Sequence, residues 1–219
     1  MNHLFSRRLR LLAILSLVVA VFTTTGCMGP ILTAMYLFGA ADVKAEYDGL
    51  KKQKVVVVCH RTDLDYSNNL NAANELSEQI GKYLKTNISS MTLIDHQKVE
   101  RWMDENQWEE SVEIGKALGA DKVVVVELES FSILLGQTLY QGKANYVLKV
   151  VDCKTGDVDY DVTPNPVLWP PNSPVPTQEK PEARFRKQFV GILADRVARH
   201  FYSHDHRAYF AEDATAFEK

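Results

Sequence analysis

The chain has 219 residues, 46% of them hydrophobic and 24% charged, which is the composition of one ordinary folded domain with a leader and tails. A formal charge of −3, with no basic stripe interleaved with aromatics, gives nucleic acid no footing as a partner. The sequence also lacks a phosphate loop, a dinucleotide glycine pattern, a Gly-x-Ser-x-Gly elbow and a Cys-x-x-Cys pair, so the expectation is a protein without cofactor or catalysis.

Residues 1–26 read as a signal peptide. Arg7, Arg8 and Arg10 form a positive start, Leu11 to Phe22 an uncharged apolar core, and Thr23 to Gly26 a run of small residues. Such a core spans about 18 Å as a helix, short of the roughly 30 Å that a bilayer requires. Gly26-Cys27 at its end resembles the bacterial lipobox, in which the cysteine is diacylated and becomes the new amino terminus. Cys27 is therefore the expected lipid-attachment residue. The alternatives are an ordinary cleaved signal or an uncleaved anchor, with Cys27 incidental. Residues 27–53 would be a tether whose apolar stretch 31–41 lies along the membrane interface or packs on the domain. Without residues 1–26, 22 basic side chains face 28 acidic ones, a net of −6, which weakens any charge-driven attraction to anionic lipid.

The domain itself should start with "KVVVVCH" (54–60), a strand apolar on both faces and so central in a sheet covered by helices. Leu70, Ala73, Leu76, Ile80 and Leu84 then recur at helical spacing, with Ser67 or Asn68 as the cap. A short strand ends at Asp95, which can cap a helix carrying Val99, Trp102 and Met103 on one side. The next helix turns Ile114, Ala117 and Leu118 inward and stops at Gly119 in the left-handed conformation. "DKVVVVELESF" (121–131) is the second central strand, parallel to the first. Tyr146, Leu148 and Val150 share one face of a third, which turns through Lys154-Thr155-Gly156 into a hairpin.

Seven of the eight prolines fall in residues 164–181, around Trp169, which predicts an exposed extended loop. Such a loop could dock a partner through Trp169, Pro170 and Pro171, or simply connect elements with Trp169 folded onto the domain. Pro181 then opens a long closing helix with Phe185, Phe189, Ile192, Val197 and Phe201 in its apolar stripe. The expected architecture is a single α/β sandwich, three-layer-like, with a mixed sheet and central parallel strands over 54–163 and 182–203, followed by a tail at 204–219.

"VEIGKALGADKVVVVELESF", "VLKVVDCKTGDVDYD" and the closing amphipathic helix together resemble a group of envelope proteins. The group includes the curli-assembly lipoprotein, the amino-terminal domain of the Tol-Pal translocation protein B and the lipoprotein that activates penicillin-binding proteins. The resemblance implies a non-enzymatic interaction or assembly module of the bacterial cell envelope. It would be lipid-anchored, facing the periplasm, with other envelope proteins as partners and the bilayer met through acylated Cys27. The proline-rich insertion departs from the group. Only residues 131–150 could supply one of the two long hairpins that a pore-forming member would need.

Other residues compete for a role. His60, Arg61 and Asp63 follow the carboxyl end of a central strand, where ligands of open α/β sheets collect, and Glu127 and Glu129 approach the same end. Solvated loop charges are the plainer account. Cys59 and His60 are strand neighbours that point to opposite faces, which argues against a thiol–imidazole pair. His200, His204 and His206 form the most metal-like cluster, because four-residue spacing puts His200 and His204 on one face of a continuous helix. Cys59 and Cys153 could pair as a disulfide in an oxidising periplasm. The alternative function is thus a periplasmic module that binds a small ligand or a metal.

Overall fold

The computed structural model describes residues 42–62 and 70–205. Cys27, the leader, the apolar stretch 31–41, Asp63, the caps Ser67 and Asn68, His206 and most of the tail lie outside the described residues.

Strand β1 (Asp42–Val43) pairs with β9 (His204–Asp205), bringing the lead-in beside the end of the domain. A seven-stranded sheet forms the centre, with the path β3–β2–β4–β5–β6. Its first strands are β2 (Lys54–Arg61) and β3 (Thr92–Leu93), followed by the long hairpin β4 (Lys122–Leu135) and β5 (Leu139–Asp152). β2 runs parallel to both β3 and β4, and β4 is antiparallel to β5. The mixed sheet with central parallel strands is as expected, but β4 continues past Phe131 to Leu135. Three short strands line the outer side of β5: β6 (Val158–Val162), β7 (Val167–Trp169) and β8 (Val175–Pro176).

Helices cover both faces. α1 (Leu70–Asn87) and α4 (Glu182–Ala198) lie on one face. There Val55, Val57 and Cys59 of β2 meet Val124, Val126 and Leu128 of β4 and Leu148 and Val150 of β5. α2 (His96–Glu105) and α3 (Ser111–Leu118) cover the other face, over Val56, Val58, Val123, Val125 and Val151. The two valine runs are apolar on both faces because each face meets a helix layer. Asp95 caps α2 by accepting the Gln97 N–H at 3.0 Å. Gly119 ends α3 with φ of 65°, the left-handed conformation that a residue with a Cβ adopts only at a cost. Ile114 faces the sheet and Leu118 packs against the same cluster, as expected; Ala117 is exposed, and Val112 and Gly115 face the sheet as well.

The largest correction concerns residues 164–181. They are not an exposed loop. Val167, Trp169 and Val175 are buried, at 5%, 0% and 1% exposure, as inward positions of β7 and β8. Prolines fit here because these are outermost strands, where an N–H missing on the solvent side costs no ladder bond. No described helix is long and apolar enough to cross a membrane.

Candidate functional site

The sheet face under α2 and α3 changes character where those helices end. Toward the carboxyl end of β2, and midway along β4, the apolar valines give way to His60 and Glu127, which are register partners. Glu127 in turn accepts a 2.8 Å ion pair from Lys149 of β5. Trp108, in the connection between α2 and α3, closes the helix layer with its ring edge-on to His60, centroids 5.7 Å apart. Burial pushes the His60 imidazole below its ordinary pKa, against the pull of the Glu127 carboxylate. His60 is therefore neutral at physiological pH. Its Nδ1 is buried with no hydrogen-bond partner among the described residues, and so is Oδ1 of Asn145, on the same sheet face in β5.

Of the residues expected at this edge, His60 and Glu127 come together. Glu129 is exposed at a register irregularity between Leu128 and Ser130. Arg61 is half-buried beside His60, and Asp63 lies outside the described residues. Trp108, Asn145 and Lys149 were not read from the sequence. Lys149 and Asn145 could be placed only through the β4–β5 register, which pairs Val125 with Lys149 and Ser130 with Asn145.

The expected partner-binding residues divide. Trp169 is wholly buried against Phe185, ring centroids 5.1 Å apart, so it presents no exposed anchor. Pro170 is also buried, its carbonyl accepting the Gln141 amide at 2.9 Å, while Pro171 is exposed.

The histidines do not form a metal site as drawn. The regular helix stops at Ala198, a 3-10 turn follows over Arg199–Phe201, and His204 is already in β9, so His200 and His204 share no helix face. His200 Nδ1 lies 2.9 Å from the Tyr160 hydroxyl and 3.1 Å from the Glu46 carboxylate. Tyr160 donates to that same carboxylate at 2.6 Å. The Glu46 and Tyr47 N–H groups both bond the His200 carbonyl, at 2.9 and 3.0 Å. This cluster ties the lead-in to the domain. The Tyr160 bond, helped by the facing His200, holds the Glu46 carboxyl below its usual range despite some desolvation. Among the described residues no group of three or more metal-capable side chains lies together.

Cys59 and Cys153 are both buried and free. Cys59 packs under α1 and α4 and Cys153 under α3, on opposite faces of the sheet, which rules out the proposed disulfide between them. Burial pushes the Cys59 thiol up to about 12.

No model of a protein family matches the chain, and no curated protein is significantly similar to it. Solved structures with a similar arrangement include the PelC dodecamer from Paraburkholderia phytofirmans, 10% identical over 74% of this chain and 95% of that one, with a TM-score of 0.45. They also include the lipoprotein GNA1162 from Neisseria meningitidis, 10% identical over 66% and 97%, at 0.41. The LpoB C-terminal domain from Salmonella enterica is 16% identical over 65% and 96%, at 0.39.

Proposed function

We propose that this chain is a lipid-anchored protein of the bacterial cell envelope whose α/β domain works as a non-enzymatic interaction or assembly module. The observation that carries the reading is the leader: a basic start, a short apolar core and small residues ending in Gly26-Cys27. Diacylated Cys27 would hold the chain at the membrane surface, with the domain in the periplasm. Within the expected tether 27–53, Glu46 and Tyr47 are bonded to His200 and Tyr160, so this part of it packs on the domain.

Cys27→Ala tests the anchoring. The variant should leave the membrane fraction or accumulate as unprocessed precursor; a variant that stays membrane-bound and is still cleaved at this site overturns it. Photo-crosslinking in cells from Leu134, Leu135 and Leu168, large apolar side chains 47%, 48% and 38% exposed, followed by mass spectrometry, tests the interaction role. A defined envelope protein recovered from these positions supports that role. Recovery of no adduct above the level of a crosslinker placed at exposed Lys82 refutes it.

A further inference from the structure

The polar ledge beyond Trp108 is built unlike the rest of the domain. Elsewhere in the described residues, buried side-chain polar atoms have partners; His60 Nδ1 and Asn145 Oδ1 are the buried ones without. Leaving a buried polar group unpaired is unfavourable, and native proteins rarely do it without a ligand, a water or a role to account for it. Both atoms belong to one sheet face. His60 is level with Glu127 and Glu127 with Val147, and Asn145 lies two residues further along β5. Strand spacing and rise then put the His60 and Asn145 Cα atoms about 12 Å apart, the span of one or two sugar rings. Glu127 lies level with His60, and its ion pair with Lys149, two residues from Val147 on the side away from Asn145, has side-chain exposures of 25% and 29%, so both ends of it remain reachable. The ledge sits where β2 and its parallel pairing with β4 end, at Arg61 and Leu128, the side of the sheet on which open α/β folds place ligands.

We propose that His60, Trp108, Glu127, Asn145 and Lys149 form a binding site for a small neutral polyhydroxylated ligand, a saccharide unit. The charges of Glu127 and Lys149 cancel and His60 is neutral, so the site offers a free ion no net attraction. What the orphaned atoms lack is hydrogen bonds. A hydroxyl supplies a donor and acceptors together, and so satisfies either tautomer of His60 and either orientation of the Asn145 amide. Glu127 and Lys149 each keep hydrogen-bonding capacity beyond their mutual contact. The reading rests on these side chains alone and is independent of lipid attachment at Cys27.

The test is titration of the 15N-labelled full chain with glucose and with N-acetylglucosamine, following the Asn145 side-chain amide and the Trp108 indole N–H. Saturable shifts of both signals with Kd in the millimolar range are expected, with inorganic phosphate leaving them unmoved. Asn145→Leu and His60→Phe should each weaken binding by about fivefold or more, the worth of one lost hydrogen bond. The same Asn145→Leu change should raise Tm in the absence of sugar, because it removes an unsatisfied buried group. The proposal is overturned if neither sugar gives a saturable shift. It is equally overturned if phosphate shifts the same signals, or if Asn145→Leu lowers Tm and leaves binding intact, which would show that Oδ1 already has a partner.

Discussion

Asp121 holds both backbone groups of Lys54. Its N–H donates to the Lys54 carbonyl at 2.7 Å, and its carboxylate accepts the Lys54 N–H at 2.9 Å. The first residue of β2 is thereby locked to the residue just before β4, which sets the parallel register of Val55 with Lys122 and of every valine pair above it. Leu118-Gly119-Ala120-Asp121 thus acts as one device. Gly119 turns the chain out of α3, the Ala120 N–H closes back to the Gly115 carbonyl at 2.8 Å, and Asp121 fastens the next strand. Asp121→Ala should lower stability by about 0.5–1.5 kcal/mol, the worth of one side-chain hydrogen bond, in urea unfolding. Asp121→Asn, which keeps an acceptor oxygen, should recover most of that loss. Equal losses for the two variants would mean that the carboxylate bond to Lys54 is not what matters.

Trp169 should behave as core. It fills the space between β7 and α4, against Phe185, with no exposed surface. Trp169→Ala is expected to cost about 3–5 kcal/mol, as large buried aromatics do. Pro171→Ala, at an exposed position, should stay within about 0.5 kcal/mol. Deleting residues 165–180 should unfold the domain, because the deletion removes the cover of β5 along Leu139–Ala144. Retained cooperative unfolding after that deletion would show the segment to be dispensable.

Gly115 marks the closest approach of α3 to the sheet. A Cβ there would stand 2.4 Å from the Cys153 sulfur and 2.5 Å from a Val123 methyl. Alanine is the better helix former by about 1 kcal/mol, yet overpacking costs about 1–3 kcal/mol. Gly115→Ala should therefore destabilise on balance, and Gly115→Ala with Cys153→Ala should be less destabilised than the two single changes predict. Melting temperatures of the three variants check this, and strict additivity would contradict it.

What was legible in the sequence followed from local chemistry that the tertiary structure leaves intact. The valine runs at 55–58 and 123–126 read as doubly covered strands, Gly119 as a left-handed stop and Asp95 as a cap, and each holds that place. The proline-rich segment misled because proline density dominates its pattern. Beneath it, Val167 in, Leu168 out and Trp169 in is an ordinary strand alternation. The histidine spacing misled for a different reason: it presumed a helix through residue 204, whereas the chain leaves it after Ala198 so that the His200 carbonyl can receive Glu46 and Tyr47. At the ledge, His60 announced itself at the end of β2 and Glu127 as the first polar residue after a valine run. Asn145 and Lys149 did not, since which β5 residues meet Glu127 depends on hairpin register and an irregularity at Leu128/Ser130, neither of which composition reveals.

The two domain cysteines should be inert in the folded protein. Cys59 is buried, with its thiol pushed up to about 12 by desolvation, and burial likewise raises Cys153, so neither offers thiolate at neutral pH. A maleimide should modify neither in the native state and both after denaturation, and gel mobility should not respond to reductant. Rapid native labelling of Cys153 would place it outside the packed face beneath α3.

Acid should loosen the end of the sheet where β5 turns into β6. Lys122, only 9% exposed, meets Asp152 at 2.6 Å and also bonds Asp159. Burial by itself would lower the Lys122 pKa, but the two carboxylates outweigh it and raise it. Asp152 is held down to about 2 from 3.8, first by the Lys122 bond and then by the Lys154 and Thr155 N–H groups. A carboxyl with a depressed folded pKa contributes stability that is present above its unfolded value and lost as pH falls through the folded one. The window here is therefore about pH 4 down to about pH 2. Lys122 lies outside it, because a raised lysine keeps its contribution until strongly alkaline pH. Asp152→Asn isolates the charge, since the amide oxygen can still accept the Lys154 and Thr155 N–H bonds that shape the turn, now at 2.7 and 3.2 Å. The variant should melt below the wild type at pH 7, and the gap should close as pH is lowered from 4 to 2. Thermal melts of both proteins across that range provide the check, and a gap that stays constant with pH would show that the Lys122–Asp152 contact contributes nothing through its charge.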